Sequence, residues 1–313
     1  MGDPVPGNRI KNCKRVGLEK RCTINEPVME KILIPIDFTR SSNNAIAYAV
    51  ALSKNNPIKQ IILVVNVYIT EFEQLLPTAD FIQFAVDKAQ ALNGQLSTQF
   101  KNLKASVLKK LDPAVRVSFI LSKMPLLPSL RELIKQEKPD LLLVGSDHAG
   151  ATEESYISNH LIKIAKVSTV PVLIIPALSR YQEVQKALVP FDLGNFACLN
   201  LIQRLNHIHS WPHPKLLLLN VDATQQVLFK DDVTCTVVEQ ISTHLQNYQY
   251  KFYYSVEKDV LKSVNHFCYK NDLQLIIALP GKHSFLYNLT HRNITKGLAR
   301  NNYKPVLILK NAQ

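Results

Sequence analysis

Two heptapeptides constrain this chain more than any other feature: Lys31–Asp37 reads KILIPID, and roughly 155 residues later Lys186–Asp192 reads KALVPFD. Each is a short apolar run closed by a turn-forming acid, as expected of a strand buried on both faces. The repetition continues downstream. Asn66-Val67 closes a second apolar run as Asn220-Val221 does later, and Pro171–Ile175 (PVLII) returns as Pro305–Leu309 (PVLIL). A chain that gives the same strand signals twice in the same order is built from two copies of one unit, and 313 residues supply each copy with enough chain for its own core.

Within the first copy, strand and helix patterns alternate. Strands are expected over residues 31–36, 60–67, 115–121, 141–144 and 170–175. Between them, Ala45, Ile46, Ala49 and Leu52 keep helical spacing, and a long amphipathic helix runs from Phe81 to Leu111 before Pro113. Residues 126–136 form a short helix, and Ile157, Leu161, Ile164 and Ala165 mark the last one. In the second copy strands fall near 251–256, 273–279 and 306–309; Val237, Ile241 and Leu245 mark a shorter second helix, with Asp231-Asp232 at its N-terminus. Regular β/α alternation is the signature of an α/β fold with a doubly wound parallel sheet. The segment Pro139–Pro176 is then a βαβ crossover. Ligands of such sheets sit beyond the carboxyl ends of the strands, so the loop Gly145–Asn159 is the first place to look for a site.

Residues 1–28 mix charge, Pro and Gly without periodicity and read as a disordered extension. The expected division is 1–28, then domains at 29–178 and 179–313. The net charge of +12 is spread without a dense Lys/Arg tract, which argues against specific nucleic-acid recognition. The five cysteines (Cys13, Cys22, Cys198, Cys235, Cys268) are odd in number and never CxxC, so neither a disulfide framework nor a zinc site is indicated. No apolar run reaches the roughly 20 residues of a membrane span and no secretion signal is present, so a cytoplasmic protein without a membrane partner is expected. His207, His209 and His213 cluster in a turn, but their spacing fits no helical ligand pair and no metal is assigned to them. GxGxxG, Walker A, GxSxG and HExxH motifs are all missing.

KILIPIDFTRSSNNAIAYA, the VVNV closing the second strand, and PDLLLVGS followed by VPVLII resemble the universal stress protein family, and the repetition resembles its tandem two-domain members. The resemblance implies two five-stranded parallel sheets in the order 3-2-1-4-5. It also implies adenine-nucleotide binding in members that keep a Gly-x2-Gly-x9-Gly-Ser/Thr signature, whose glycines admit phosphates to the backbone. The matching positions are Gly145, His148, Ser158 and Asn159, and only the first is kept. Asp37, beside Thr39, matches an aspartate at the adenosine end; otherwise it caps a helix beginning near Thr39 or Ser41. Val67 matches a position whose backbone faces adenine. Ser158 and Asn159 either donate to an anion or cap their own helix.

In the second copy the signature positions fall on Leu279, Lys282, Arg292 and Asn293, with Gly281 one residue out of register. That copy is expected to be degenerate, retaining Asp192. Family members pair through their fifth strands, so Val172–Ile175 and Val306–Leu309 are expected to pair antiparallel within the chain as an internal pseudo-dimer. The expected activity is stress-response binding and interaction with a protein partner that the sequence does not name. The cofactor would be ATP or another adenine nucleotide, held weakly in the first copy without turnover. The alternatives are an ATP hydrolase, with Asp147 and Glu153 as the acids near the loop able to hold Mg²⁺, or a nucleotide-gated sensor.

Overall fold

The computed structural model describes residues 30–66, 94, 97–147, 155–191, 193, 196–207, 214–221, 231–245, 247–255, 260–280 and 304–310. The extension expected at 1–28 lies outside them. The first copy contributes β1 (Lys31–Ile36), α1 (Arg40–Asn55), β2 (Gln60–Asn66), a helix α2 over 97–108, β3 (Arg116–Ser122), α3 (Leu126–Glu137), β4 (Leu141–Ser146), α4 (Tyr156–Asn159), α5 (Leu161–Val167) and β5 (Val172–Pro176). The second contributes β6 (Lys186–Phe191), a 3-10 helix Phe196–His207, β7 (Lys215–Val221), α6 (Asp231–His244), β8 (Tyr250–Ser255), α7 (Val260–Asn271), β9 (Leu275–Ala278) and β10 (Val306–Ile308). Every expected strand is present, with ends displaced by a residue or two.

The strands form one sheet in the order β3-β2-β1-β4-β5-β10-β9-β6-β7-β8. The first half has the order 3-2-1-4-5, and the second repeats it in mirror sequence across the junction. All pairings within a half are parallel. At the junction β10 runs antiparallel to β5, with Val306, Leu307 and Ile308 opposite Ile174, Leu173 and Val172. The expected pairing of the two fifth strands is therefore present. Lys310, just past β10, donates from Nζ to the carbonyl of Ala165 in the last turn of α5, a cation at a helix C-terminus contributed from the other half.

Alternation along each strand splits the apolar residues between two cores. Ile32, Ile34, Ile61, Leu63, Leu141 and Leu143 face α1 and α2, whereas Leu33, Ile62, Val64, Leu142 and Val144 face α3 and α5. Both layers run through the junction into the second half, where Val189 and Leu218 continue the first and Leu188 and Ile276 the second. This double burial explains why β1, β2 and β4 read as continuous apolar runs. Two helices depart from the sequence pattern. The last helix of the first copy breaks at His160 into α4 and α5, and the first helix of the second copy is wound as a 3-10 segment. Among the described residues no helix is long and apolar enough to cross a membrane.

Candidate functional site

In the first half the strand order reverses between β1 and β4: β2 and β3 lie to one side of β1, β5 beyond β4 on the other. The crevice at their carboxyl ends is the switch point where open α/β sheets take ligands. Asp37 follows β1 directly and Asp147 follows β4. Phe38 then takes a positive φ of 60°, a left-handed conformation that costs about 1–2 kcal/mol for a bulky residue. The turn it makes lets Asp37 reach forward: Oδ1 accepts from the Thr39 hydroxyl at 2.6 Å and from the Thr39 amide at 3.3 Å. The Phe38 ring packs edge-on against Phe100 of α2 at 5.5 Å, which offsets part of that cost.

Thr39 is the N-cap of α1, its Oγ1 accepting from the Ser42 amide at 3.5 Å. Ser155 is the N-cap of α4, its Oγ accepting from the Ser158 amide at 3.0 Å. A hydroxyl has one proton to give, and both caps give it to the same carboxylate. The Ser155 Oγ donates to Asp37 Oδ2 at 2.6 Å, and the Ile157 amide reaches the same oxygen at 3.2 Å. Asp37 thus accepts four hydrogen bonds, about as many as a carboxylate has lone-pair sites. Burial on its own would raise its pKa, but the bonds from Ser155, Thr39 and Ile157, with a smaller influence of the nearby Ser42 hydroxyl, together outweigh burial and hold the carboxyl below its ordinary value. Asp147 completes the network: its amide donates to Ser158 Oγ at 2.9 Å, and its Oδ2 accepts from the Ser155 amide at 2.8 Å.

Gly145 lies one strand layer below. A Cβ built there would stand 2.3 Å from the Ser41 carbonyl oxygen and 3.0 Å from the Ser42 amide nitrogen. The first turn of α1 rests directly on β4, and only a residue without a side chain admits that approach.

The structure therefore brings Asp37, Thr39 and Ser158 into one hydrogen-bonded cluster and sets Gly145 beside it, under the same turn of α1. Ser158 is fully buried with its hydroxyl turned to Asp147, and Asn159 is exposed, its amide donating to the Ser155 carbonyl. The cap of α4 is Ser155 rather than Ser158 or Asn159, because the helix begins three residues earlier than a cap at Ser158 would require. Sequence reasoning missed Ser155, although a serine immediately before the first residue of an apolar helical stripe is an N-cap signal. Val67, His148 and Glu153 lie outside the described residues, as do Gly281, Lys282, Arg292, Asn293, Asp192, His209 and His213. Of the second copy's signature positions Leu279 is described, and it is a core residue.

An open doubly wound sheet with a hydrogen-bonding carboxylate at its switch point defines the class: a Rossmann-like α/β protein. Residues 29–176, a little under half of the chain, match the model of the Universal stress protein family. Among solved structures, a universal stress protein from Archaeoglobus fulgidus DSM 4304 matches at 14% identity over 90% of this chain and 98% of that one, with a TM-score of 0.57. A functionally unknown protein from Pseudomonas aeruginosa PAO1 matches at 15% identity over 90% and 92%, TM-score 0.48. A universal stress family protein from Burkholderia pseudomallei matches at 16% identity over 47% and 96%, TM-score 0.35. The likeness to the first of these is one of fold. None of the curated proteins compared matches the chain.

Proposed function

We propose that this chain is a cytoplasmic stress-response protein that acts by binding rather than turnover, and that its first half engages an adenine nucleotide weakly at the β1/β4 switch point. The observation that carries this reading is the state of Asp37. It stands where a ribose hydroxyl or an adenine amine can be accepted, but its lone pairs are already taken by Thr39, Ser155 and Ile157. A ligand gains only by exchanging one charge-assisted bond for another, so the net gain is small.

The same bonds argue against catalysis. A general base at neutral pH works best with a pKa near 7, and Asp37 is held in the opposite direction. Asp147, which follows β4 beside it, accepts from the Ser155 amide. We further propose the division into domains at 29–178 and 179–313, with a protein partner receiving the signal. Calorimetric titration with ATP, with a parallel assay for released phosphate, tests the reading. The expected result is a dissociation constant on the order of 0.1–1 mM, about 4–5.5 kcal/mol of binding energy, with no phosphate above the protein-free control. Submicromolar binding, or steady phosphate release, would overturn it.

A further inference from the structure

We propose that Asp37 inhibits its own site: by accepting the hydroxyl protons of both helix caps, Thr39 and Ser155, it latches α1 to α4 across the switch point, and nucleotide binds only when the Ser155 arm of this latch lets go. The inference deepens the nucleotide reading above and rests on it. It names how the site is regulated.

The two arms of the latch differ in reach. Thr39 is two residues from Asp37, and its bonds to Oδ1 close a local turn that belongs to the start of α1. Ser155 is 118 residues away in sequence, and its 2.6 Å bond to Oδ2 crosses from the segment after β4 to the end of β1. The second arm spans the crevice, alongside the longer 3.2 Å bond that the Ile157 amide gives the same oxygen. It is also the one a ligand can replace, because a ribose hydroxyl or an exocyclic amine donates to a carboxylate as the serine does. Ser155 is itself buried and tied at three atoms: its Oγ donates to Asp37 and accepts from Ser158, its amide donates to Asp147, and its carbonyl accepts from the Asn159 amide. The crossing bond is therefore held in place by the fold rather than made by a mobile surface side chain. Opening it leaves Asp37 with its local turn intact and Oδ2 held from the α4 side only by the longer Ile157 amide bond, with a lone pair free for a ligand.

The test uses the full chain and two variants. Ser155→Gly removes the shorter of the two crossing donors while keeping a residue that tolerates the N-cap position, and Ser155→Thr keeps the hydroxyl. Two readouts are taken. The first is the titration midpoint of the Asp37 carboxyl carbon by NMR, which reports the latch without any nucleotide; Asp147, which follows β4, is followed alongside. The second is ATP affinity by calorimetry. The latch predicts that Ser155→Gly raises the Asp37 midpoint and tightens ATP about tenfold, while Ser155→Thr matches the wild type in both. An unchanged midpoint in Ser155→Gly would overturn the latch whatever happens to binding. A raised midpoint with unchanged ATP affinity would overturn the inhibition and leave the latch a structural tie. A raised midpoint with no ATP binding by any of the three proteins would sink the nucleotide reading, and the inhibition with it.

Discussion

Substituting Gly145 by alanine separates two explanations of the one signature glycine that this chain keeps. If the glycine serves a phosphate, Gly145→Ala affects binding alone; if it serves the packing of α1 on β4, it affects folding. The geometry favours the second. The new Cβ would sit 2.3 Å from the Ser41 carbonyl oxygen and 2.5 Å from its carbon, and both are backbone atoms of the first turn of α1. To restore ordinary contact that turn must retreat by about 1 Å. Overpacking of this kind costs about 1–3 kcal/mol. The retreat also carries Thr39 away from Asp37, stretching a 2.6 Å bond to a carboxylate worth roughly another 1.5 kcal/mol. A total near 3 kcal/mol lowers the melting temperature by roughly 6–12 °C for a unit of this size. The measurement is urea unfolding followed by circular dichroism, with hydrogen exchange of the β4 and α1 amides. Gly94→Ala is the control: nothing lies within 4 Å of its added Cβ, and alanine there is neutral or stabilising. A Gly145→Ala protein within about 0.5 kcal/mol of the wild type would refute the packing argument.

Two further predictions follow from the same contacts. Because the folded pKa of Asp37 lies below its unfolded value of about 3.9, its stabilisation is complete above that pH and is lost as pH falls through the folded value. Asp37→Asn should therefore cost about 1–2 kcal/mol at neutral pH, discounted for a half-buried group, and the gap to wild type should close in acid; a gap constant from neutral pH to acid would refute this. At the junction, fully buried Leu307 faces Leu173 across the antiparallel register, so Leu307→Ala should cost roughly 2–5 kcal/mol in chemical denaturation; a loss under about 1 kcal/mol would show that the two halves are held together elsewhere.

The strands were legible because their burial on both faces leaves an unmistakable apolar run, and because KILIPI and KALVPF repeat the same signal. The β5–β10 pairing was legible for a related reason: two apolar strands at sheet edges need a partner, and each is the other's. The break at His160 was less visible, since the stripe Ile157, Leu161, Ile164, Ala165 fits one continuous helix as well as two short ones. Asp37 and Ser158 could be picked out by position, but their bonding could not. Whether a carboxylate after a strand waits for a ligand or is consumed by its own chain depends on a serine 118 residues away, and no local pattern encodes that distance. Gly145 was read as a phosphate glycine because the signature contains one there. Its contact with Ser41 belongs to the packing of a helix on a strand, which no spacing rule expresses.

The antiparallel junction has a consequence for how the two copies can be approached. Since β5 and β10 run in opposite directions, the carboxyl ends of the first five strands point to one end of the sheet and those of the second five to the other. The carboxyl ends of β1 and β4 therefore lie at the opposite end of the sheet from those of β6 and β9. A molecule that enters the β1/β4 switch point therefore approaches from one end of the sheet, and one that enters the corresponding β6/β9 point approaches from the other.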